Sequence, residues 1–240
     1  MSLAALRDEV VEANRALVEA GLVSLAFGNA SGVDRAAGTM VIKPSGVPCD
    51  QLEPSDLVVV SLKDERVVEG TLRPSSDTPT HALLYRRFPG IGGIVHTHSP
   101  FASAWAQAHR SIPALGTTHA DHFGGSVPVT RAMTRTEVDG AYERQTGEVI
   151  AETLASLGLE PLDMPAVIVA SHGPFTWGRS AGEAVTNAIA LEAVAALAYR
   201  TLTLAPATGA IDDALLRRHF DRKHGPAAYY GQVSEETDGS

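Results

Sequence analysis

A short hydrophobic strand is predicted for the stretch Gly92-Gly93-Ile94-Val95-His96-Thr97-His98-Ser99-Pro100, which ends in two histidines. Side chains alternate between the two faces of a strand, so His96 and His98 should lie on one side and Thr97 on the other. Two imidazoles on a rigid strand end are half of a four-coordinate zinc site, and a catalytic zinc takes three protein ligands and leaves one position open. The pattern therefore predicts a third ligand elsewhere in the chain.

The candidate third ligand is His172, in the segment Ala166-Val167-Ile168-Val169-Ala170-Ser171-His172-Gly173-Pro174. This segment has the same pattern as the first one, because a hydrophobic strand is followed by a histidine at the point where glycine and proline end the strand. A single histidine at a strand end is more often structural than metal-binding. Two such segments in one chain, one of them a His-X-His, favour a metal site.

Length and composition indicate a globular α/β protein. The chain has 240 residues, of which 44% are hydrophobic, and no stretch resembles a linker. We therefore expect residues 1–232 to form a single domain. Residues 233–240 are acidic and small, and we expect them to be a disordered tail.

The charge and cysteine content exclude several classes of function. A formal net charge of −9 argues against a nucleic-acid partner, although helix-start amides and a metal ion could still bind a small phosphorylated substrate. No apolar run approaches the 18 residues of a membrane helix, and Met1–Ala20 carries charges throughout, so we expect no membrane partner and no signal peptide. Cys49 is the single cysteine, which precludes an internal disulfide and makes the cytoplasm the expected location.

Apolar spacing predicts most of the regular elements. A first helix begins near Leu3 and is capped by Gly21. Further helices are predicted at Thr80–Arg87 with Thr78 as N-cap, Ser99–Ala108, Ala141–Leu157, Ser180–Leu204 and Asp212–Lys223. Strands are predicted at Thr39–Lys43, Asp56–Leu62 and Arg66–Gly70. In the longest helix we expect Ile189, Val194 and Leu197 to be buried.

Three polar segments are candidates for binding an anion. They are the turn at Phe27–Ser31, the Pro44-Ser45-Gly46 turn, and the Ser75-Ser76 pair ahead of a helix. Glycine lets backbone amides approach a ligand closely, hydroxyl and amide side chains add donors, and a helix N-terminus favours negative charge. Ordinary turns and caps would produce the same patterns, and that alternative stays open.

Two further segments place reactive groups together. His119-Ala120-Asp121-His122-Phe123 sets an acid among histidines, and we expect it to be a loop that carries chemistry or is simply solvated. The pair Tyr229-Tyr230 lies near the C-terminus, where it would pack on the body of the protein or contact a neighbouring subunit.

Seven motifs resemble the class II aldolase/epimerase superfamily, and within it the sugar-phosphate 4-epimerases. They occur in family order and spacing as far as Gln232, with Phe27 standing where tryptophan is expected and His122 where tyrosine is expected. The motifs are Phe27-Gly28-Asn29, Val41-Ile42-Lys43-Pro44-Ser45-Gly46, Pro74-Ser75-Ser76-Asp77-Thr78-Pro79-Thr80-His81, Gly92–Ser99, Gly116-Thr117-Thr118-His119-Ala120-Asp121, Ser171–Gly178 and Arg222–Gln232.

The resemblance implies a fold and a set of site residues. The fold would be a three-layer α/β/α sandwich with a mainly antiparallel central sheet. One zinc ion per subunit, or another divalent ion, would be held by His96, His98 and His172, with Asp77 as a fourth ligand or close partner. The implied phosphate site consists of Gly28, Asn29, Ser45, Gly46, Ser75 and Ser76, with Lys43 nearby. Asp121 and Tyr230 would be the proton carriers, Tyr230 coming from an adjacent subunit of a homotetramer, with His219 and Thr117 as lesser contributors.

The resemblance also implies the interconversion of L-ribulose 5-phosphate and D-xylulose 5-phosphate, in arabinose or ascorbate catabolism. Simple proton abstraction at C4 has no electron sink, because no carbonyl is adjacent. Cleavage of the C3–C4 bond solves this problem, since the enediolate of dihydroxyacetone can be stabilised by a divalent cation. The glycolaldehyde phosphate would stay bound by its phosphate and turn its other face, with one group removing and another returning a proton.

Two rival functions share part of this pattern. A class II aldolase acting on fuculose or rhamnulose phosphate would release the two fragments, but such enzymes tend to carry glutamate after the double serine, where this chain has the shorter Asp77. A non-catalytic zinc protein would use a closed site of four Cys or His ligands, and the chain has a single thiol. Both comparisons favour epimerisation.

Overall fold

A seven-stranded antiparallel sheet forms the centre of the computed structural model, which describes residues 2–25, 27–225 and 228. The strands are β1 (Asn29–Asp34), β2 (Thr39–Ile42), β3 (Val58–Ser61), β4 (Val67–Glu69), β5 (Gly93–His96), β6 (Ala166–Ile168) and β7 (Pro174–Gly178). Their spatial order is β4-β3-β2-β1-β5-β7-β6, and every ladder between neighbouring strands is antiparallel. The strand that carries His96 is therefore near the middle of the sheet.

Helices cover both faces of this sheet. They are α1 (Leu3–Glu19), α2 (Thr78–Arg87), α3 (Pro100–Gln107), α4 (Thr117–Ala120), α5 (Arg135–Asp139), α6 (Tyr142–Leu157), α7 (Ala181–Leu204) and α8 (Asp213–His224), with a short 3-10 helix at Cys49–Gln51. Alternating strand residues enter two separate cores: Met40 packs with residues of α2, α3 and α6, and Val41 packs with α1 and the first half of α7. The predicted three-layer arrangement with an antiparallel sheet is confirmed.

Close packing against α7 explains the Gly92-Gly93 pair at the start of β5. A Cβ atom on Gly93 would lie 2.4 Å from the backbone of Ala181, and one on Gly92 would lie 2.0 Å from the carbonyl oxygen of Arg179. The register then places His96 opposite Asn29 on β1 and opposite Phe175 on β7. The sheet thus brings the first two motifs of the sequence side by side.

Several predicted elements are confirmed, and two were read wrongly. The first helix with Gly21 after it, the helix ending at Leu157 with Gly158 in the left-handed region (φ 62°), and the last helix all occur. The expected turn at Phe27–Ser31 is wrong from Asn29 onward, because β1 begins there. Strand β1 has small side chains in place of the β-branched and aromatic ones that usually mark a strand, because α1 packs closely on it. A Cβ on Gly32 would lie 2.6 Å from Leu6.

The expected loop at His119–Phe123 is also wrong in its first part. The single-turn helix α4 covers Thr117–Ala120, and Asp121 closes it by donating its backbone N–H to the Thr117 carbonyl at 2.9 Å. The N-cap of α2 is Asp77 rather than Thr78, whose hydroxyl instead donates to the Ser75 carbonyl at 2.7 Å. The spacing of polar residues in the sequence gave no signal for the α4 turn or for Asp77 as the N-cap of α2.

The burial predicted for α7 is correct for Val194 and wrong for two other residues. Val194 is 2% exposed, whereas Ile189 is 43% and Leu197 is 48% exposed. Apolar residues lie on every side of this helix, so their period did not reveal which side faces the core. The expectation about membrane helices needs correction too, because α7 has the length and the mean hydropathy (1.3) to cross a membrane. Half of that stretch is buried in the fold, against β5, β7, α1 and α3, as in the core helix of a globular protein.

Candidate metal and phosphate site

Three histidines meet at one end of the central strands. His96 is the last residue of β5, His98 follows two residues later, and His172 lies in the turn between β6 and β7. One ring nitrogen from each of these residues lies within 4.8 Å of the other two. The Nε2 atoms of His96 and His98 are 3.0 Å apart. The three imidazoles that the sequence singled out are therefore brought together.

The chemistry of this cluster fits a divalent cation. His96 Nδ1 is 2.9 Å from the carbonyl oxygen of Pro174, which can only accept, so Nδ1 carries the hydrogen and Nε2 carries the lone pair. Zinc–nitrogen bonds of about 2.0–2.1 Å place two ligand nitrogens roughly 3.3 Å apart. The His96–His98 pair, at 3.0 Å, is close to this separation, and the other pairs lie within 4.8 Å. Burial, followed by the neighbouring imidazoles, lowers the pKa of His172 to about 4 and also lowers that of His98. Both rings are then neutral at pH 7, which is the form that binds a metal.

Asp77 lies close to this cluster but outside the group of converging nitrogen atoms. Its Oδ2 accepts a hydrogen bond of 2.7 Å from Asn29 Nδ2. Burial alone would raise the pKa of Asp77, but His96, His81, the Asn29 bond and His172 together lower it, so the group stays ionised. A role as fourth ligand stays a prediction. The contacts present in the structure make Asp77 an electrostatic partner of the histidines.

The residues expected to hold a phosphate line the same cavity as the histidines. This cavity has a volume of about 240 Å³, and its wall includes Gly28, Asn29, Lys43, Ser45, Gly46, Ser75, Ser76 and Asp77. Backbone bonds from Ser75 to Lys43 (3.0 Å) and from Ser45 to Arg73 (2.9 Å) hold the two turns side by side. Asn29 Nδ2 also donates to Ser75 Oγ at 3.2 Å, which connects the turns to β1. The geometry gathers hydroxyl, amide and amine donors at one end of the cavity.

Lys43 supplies the positive charge in this group of donors. It is 2% exposed, and burial lowers the pKa of its ammonium group, while Cys49 and Asp77 oppose that shift. Nζ donates to the Pro44 carbonyl at 3.3 Å. A compact cation among neutral donors suits a bound dianion, because the dianion would replace the hydration that burial removed.

Glycine is required at position 28 because the chain at this residue passes very close to the backbone of His96. Gly28 has φ +80°, and a Cβ there would lie 2.8 Å from the His96 carbonyl oxygen. The neighbouring Phe27 is 61% exposed at the mouth of the cavity, with its ring centre 6.5 Å from that of His98. An aromatic ring thus stands at the entrance even though phenylalanine replaces the expected tryptophan.

Two cavity residues were missed by the sequence analysis. Tyr142 and Glu143 begin α6 and line the cavity beside His172. The Tyr142 hydroxyl is 3.4 Å from His172 Nδ1. Their position at a helix start is ordinary for an acidic residue, so nothing in the local pattern marked them.

Asp121, one of the two expected proton carriers, does not line this cavity. Asp121 Oδ1 accepts from Arg222 Nε at 2.9 Å and lies 3.0 Å from His219 Nδ1, while Oδ2 accepts from Arg222 Nη2 at 2.7 Å. Thr117 lies one turn before Asp121 on α4. Tyr230 and the tail at 233–240 fall outside the described residues. Asp121, His219 and Thr117 therefore form a second cluster, in which Arg222 was not anticipated.

Comparisons with known proteins agree with this geometry. The family model described as the Class II Aldolase and Adducin N-terminal domain matches residues 8–199. The chain belongs to this family. The resemblance inferred from the seven motifs is thereby confirmed, and the fold is that of the class II aldolase family.

Similar proteins within the class II aldolase family include enzymes of two kinds. L-ribulose-5-phosphate 4-epimerase UlaF of Salmonella paratyphi B is 53% identical over 227 residues, covering 95% of this chain and 98% of that protein. The solved structure of YgbL from Klebsiella pneumoniae has a TM-score of 0.72 at 26% identity and covers 91% of this chain and 99% of its own. An L-fuculose 1-phosphate aldolase has a TM-score of 0.71 at 24% identity, covering 91% and 95%, which shows a shared fold.

Proposed function

We propose that this protein is a metal-dependent L-ribulose-5-phosphate 4-epimerase, which interconverts L-ribulose 5-phosphate and D-xylulose 5-phosphate. The observation that carries the proposal is that three converging imidazoles and a set of candidate phosphate donors line one and the same cavity. The 53% identity to an L-ribulose-5-phosphate 4-epimerase over nearly the whole chain supports the same substrate class.

His96, His98 and His172 would hold the cation, and zinc is the ion we propose because nitrogen ligands in a three-histidine set suit it. When bound, it would supply electrophilic stabilisation for the negative charge that develops on the dihydroxyacetone oxygens after C3–C4 cleavage. The donors of Ser45, Ser75, Ser76, Asn29 and Lys43 would hold the phosphate of the glycolaldehyde fragment. The fragment then stays captive while its aldehyde turns to present the other face.

In the described part of the chain, Asp121 does not line the cavity, where the acidic and phenolic groups are Asp77, Tyr142 and Glu143. We infer that an adjacent copy of the chain supplies Asp121 and Tyr230, with His219 and Thr117 beside them, in a homotetramer. The separation of the Asp121 cluster from the cavity lining supports this inference. Arg222 and His219 outweigh the effect of burial and keep the pKa of Asp121 below its usual value, so the carboxylate is in the ionised form that a base requires.

Asp77 supports epimerisation over the aldolase alternative. The chain carries this short aspartate where such aldolases tend to carry glutamate as a base, and the Asp77 carboxylate accepts a 2.7 Å bond from Asn29 beside the histidines. It is therefore better suited to orient Asn29 and balance charge. The proposed place of the reaction is cytoplasmic catabolism of arabinose or ascorbate, as the sugar phosphate suggests.

Incubation of the purified protein with L-ribulose 5-phosphate tests the proposal. D-Xylulose 5-phosphate should accumulate until equilibrium, and free glycolaldehyde phosphate should stay near background. The two products are measured by separate coupled assays, with EDTA-treated protein as the control. Stoichiometric release of glycolaldehyde phosphate would instead establish an aldolase, and the absence of both products would refute the proposed substrate.

The pH dependence of the reaction should reveal the effect of Arg222 on the pKa of Asp121. Replacing Arg222 with alanine removes two hydrogen bonds that stabilise the Asp121 carboxylate, so the pKa of Asp121 should rise. If Asp121 acts as a base, the acidic limb of kcat/KM then moves to higher pH, and activity is lost over a pH range where the wild type is active. A pH–rate profile measures this shift. Arg218→Ala is the matched control, because Arg218 is exposed on the same helix. An unmoved acidic limb in Arg222→Ala would contradict the assignment.

A further inference from the structure

Helix α3 connects the two segments that carry the histidine cluster. It begins at Pro100, two residues after His98. Near its other end, the carbonyl oxygen of Ala106 accepts a 2.9 Å bond from the backbone N–H of Ser171, the residue before His172. A displacement of α3 would therefore alter the position of His98 relative to His172.

The N-terminus of α3 is capped by a distant side chain. Ser99 is the N-cap residue, but its side chain makes no capping hydrogen bond. Instead, Glu192 of α7 accepts from the backbone N–H of Phe101 at 2.8 Å and of Ala102 at 2.9 Å, one bond to each carboxylate oxygen. A carboxylate at a helix N-terminus satisfies free amides and interacts favourably with the helix dipole. This residue replaces the local cap with a long-range one.

The C-terminal end of α3 is held to the His172 turn in a comparable way. His109 Nε2 lies 2.6 Å from Ser171 Oγ. Both residues are in the left-handed region, with φ of 53° for His109 and 61° for Ser171. That conformation is unfavourable for residues other than glycine, so it persists where surrounding contacts hold it. Together with the Ser171–Ala106 bond, it shows that the turn is fixed to the helix.

We propose that Glu192 is a positioning residue for the metal site: by anchoring α3 to α7, it sets the separation of His98 from His172. Trp105 Nε1 also donates to the Ala195 carbonyl at 3.0 Å, so α3 is held along α7 at two points. Glu192 itself does not line the cavity. The proposal rests on the metal site of the proposed function, and it adds a residue that controls how well that site is formed.

Metal binding measured apart from turnover tests this role. Full-length protein is stripped with EDTA, dialysed and titrated with Co²⁺ alone, whose visible absorption reports affinity and coordination geometry. Loss of an outer residue that orients metal ligands typically weakens affinity by about 10–100-fold. Glu192→Ala should fall in that range with an altered spectrum. Glu192→Gln, which keeps the shape and one acceptor oxygen, should lie between alanine and the wild type.

Thr134→Ala is the matched control for a lost cap. The Thr134 hydroxyl accepts from the Glu137 N–H in the capping box of α5, which is exposed and does not line the cavity. Both alanine variants should lower the thermal unfolding midpoint of the metal-free protein to a comparable extent, because each loses a helix N-cap. Thr134→Ala should bind Co²⁺ with unchanged affinity and spectrum.

The outcomes separate this proposal from the one on which it rests. A wild-type protein that binds no Co²⁺ would refute the metal site itself. If the wild type binds Co²⁺ and folded Glu192→Gln has wild-type affinity and spectrum, the positioning role is overturned while the metal site stands. Equal weakening in Thr134→Ala would also overturn it, because general destabilisation would then be the cause. Should Glu192→Ala fail to fold, the isosteric glutamine variant decides the question.

Discussion

Replacement of His98 with asparagine should eliminate metal binding and lower kcat by at least about 10³-fold. Two imidazoles would remain where the geometry provides three, and an amide is a poor substitute for an imidazole as a zinc ligand. A metal ion contributes several kcal/mol to the stabilisation of developing negative charge, and each 1.4 kcal/mol is about tenfold in rate. Metal content by mass spectrometry and steady-state kinetics measure the two effects.

The appropriate control for His98→Asn is the wild-type protein stripped of metal and reloaded. Reloading should restore its activity, whereas added zinc should not restore the variant. Far-UV circular dichroism should be similar for both proteins, because His98 lies beyond the end of β5 and outside the two hydrophobic cores. A variant with near wild-type turnover and no bound metal would refute metal-dependent catalysis.

Replacement of Asp121 with asparagine should lower kcat by about 10²–10⁴-fold, the usual contribution of a positioned acid or base. The shape of the side chain is kept, but an amide cannot take up the proton. Metal content should equal that of the wild type, because Asp121 is not among the converging ligands and does not line the histidine cavity. Turnover at the wild-type rate would remove Asp121 from the mechanism.

Mixed oligomers of Asp121→Asn and His98→Asn chains test where the proton carrier acts. If each site combines the histidines of one chain with Asp121 of another, random mixing should restore about a quarter of the wild-type activity. Doubly tagged, doubly purified oligomers measure this recovery, and oligomers with both substitutions in the same chain paired with wild-type chains serve as the comparison. Failure of verified mixed oligomers to regain activity would place Asp121 and the histidines of one chain in the same site.

Local patterns in the sequence were sufficient to predict the three-histidine cluster. His96 ends β5 with His98 two residues later, and His172 follows a second hydrophobic strand, so short spacing and strand ends carry the information. The candidate phosphate-binding residues Ser45, Gly46, Ser75 and Ser76 likewise lie in turns marked by glycine, serine and proline. Their convergence required the sheet register, which places Asn29 opposite His96 and which no local pattern encodes.

Long-range contacts were not predictable from local patterns. Arg222 reaches Asp121 across 101 positions of sequence, and Glu192 reaches Phe101 across 91. Each residue has an ordinary appearance on its own helix, and only the tertiary fold gives it a partner. The same holds for Leu197, whose exposure depends on the side of an apolar helix that meets the sheet.

The glycine at position 93 has a consequence for how the protein folds. A strand that slid by one residue would turn both histidines to the opposite face of the sheet. It would also bring a bulky side chain, that of Ile94, to the place where the start of α7 leaves no space for a Cβ. A misaligned β5 is thus penalised sterically, and its histidines would no longer face His172.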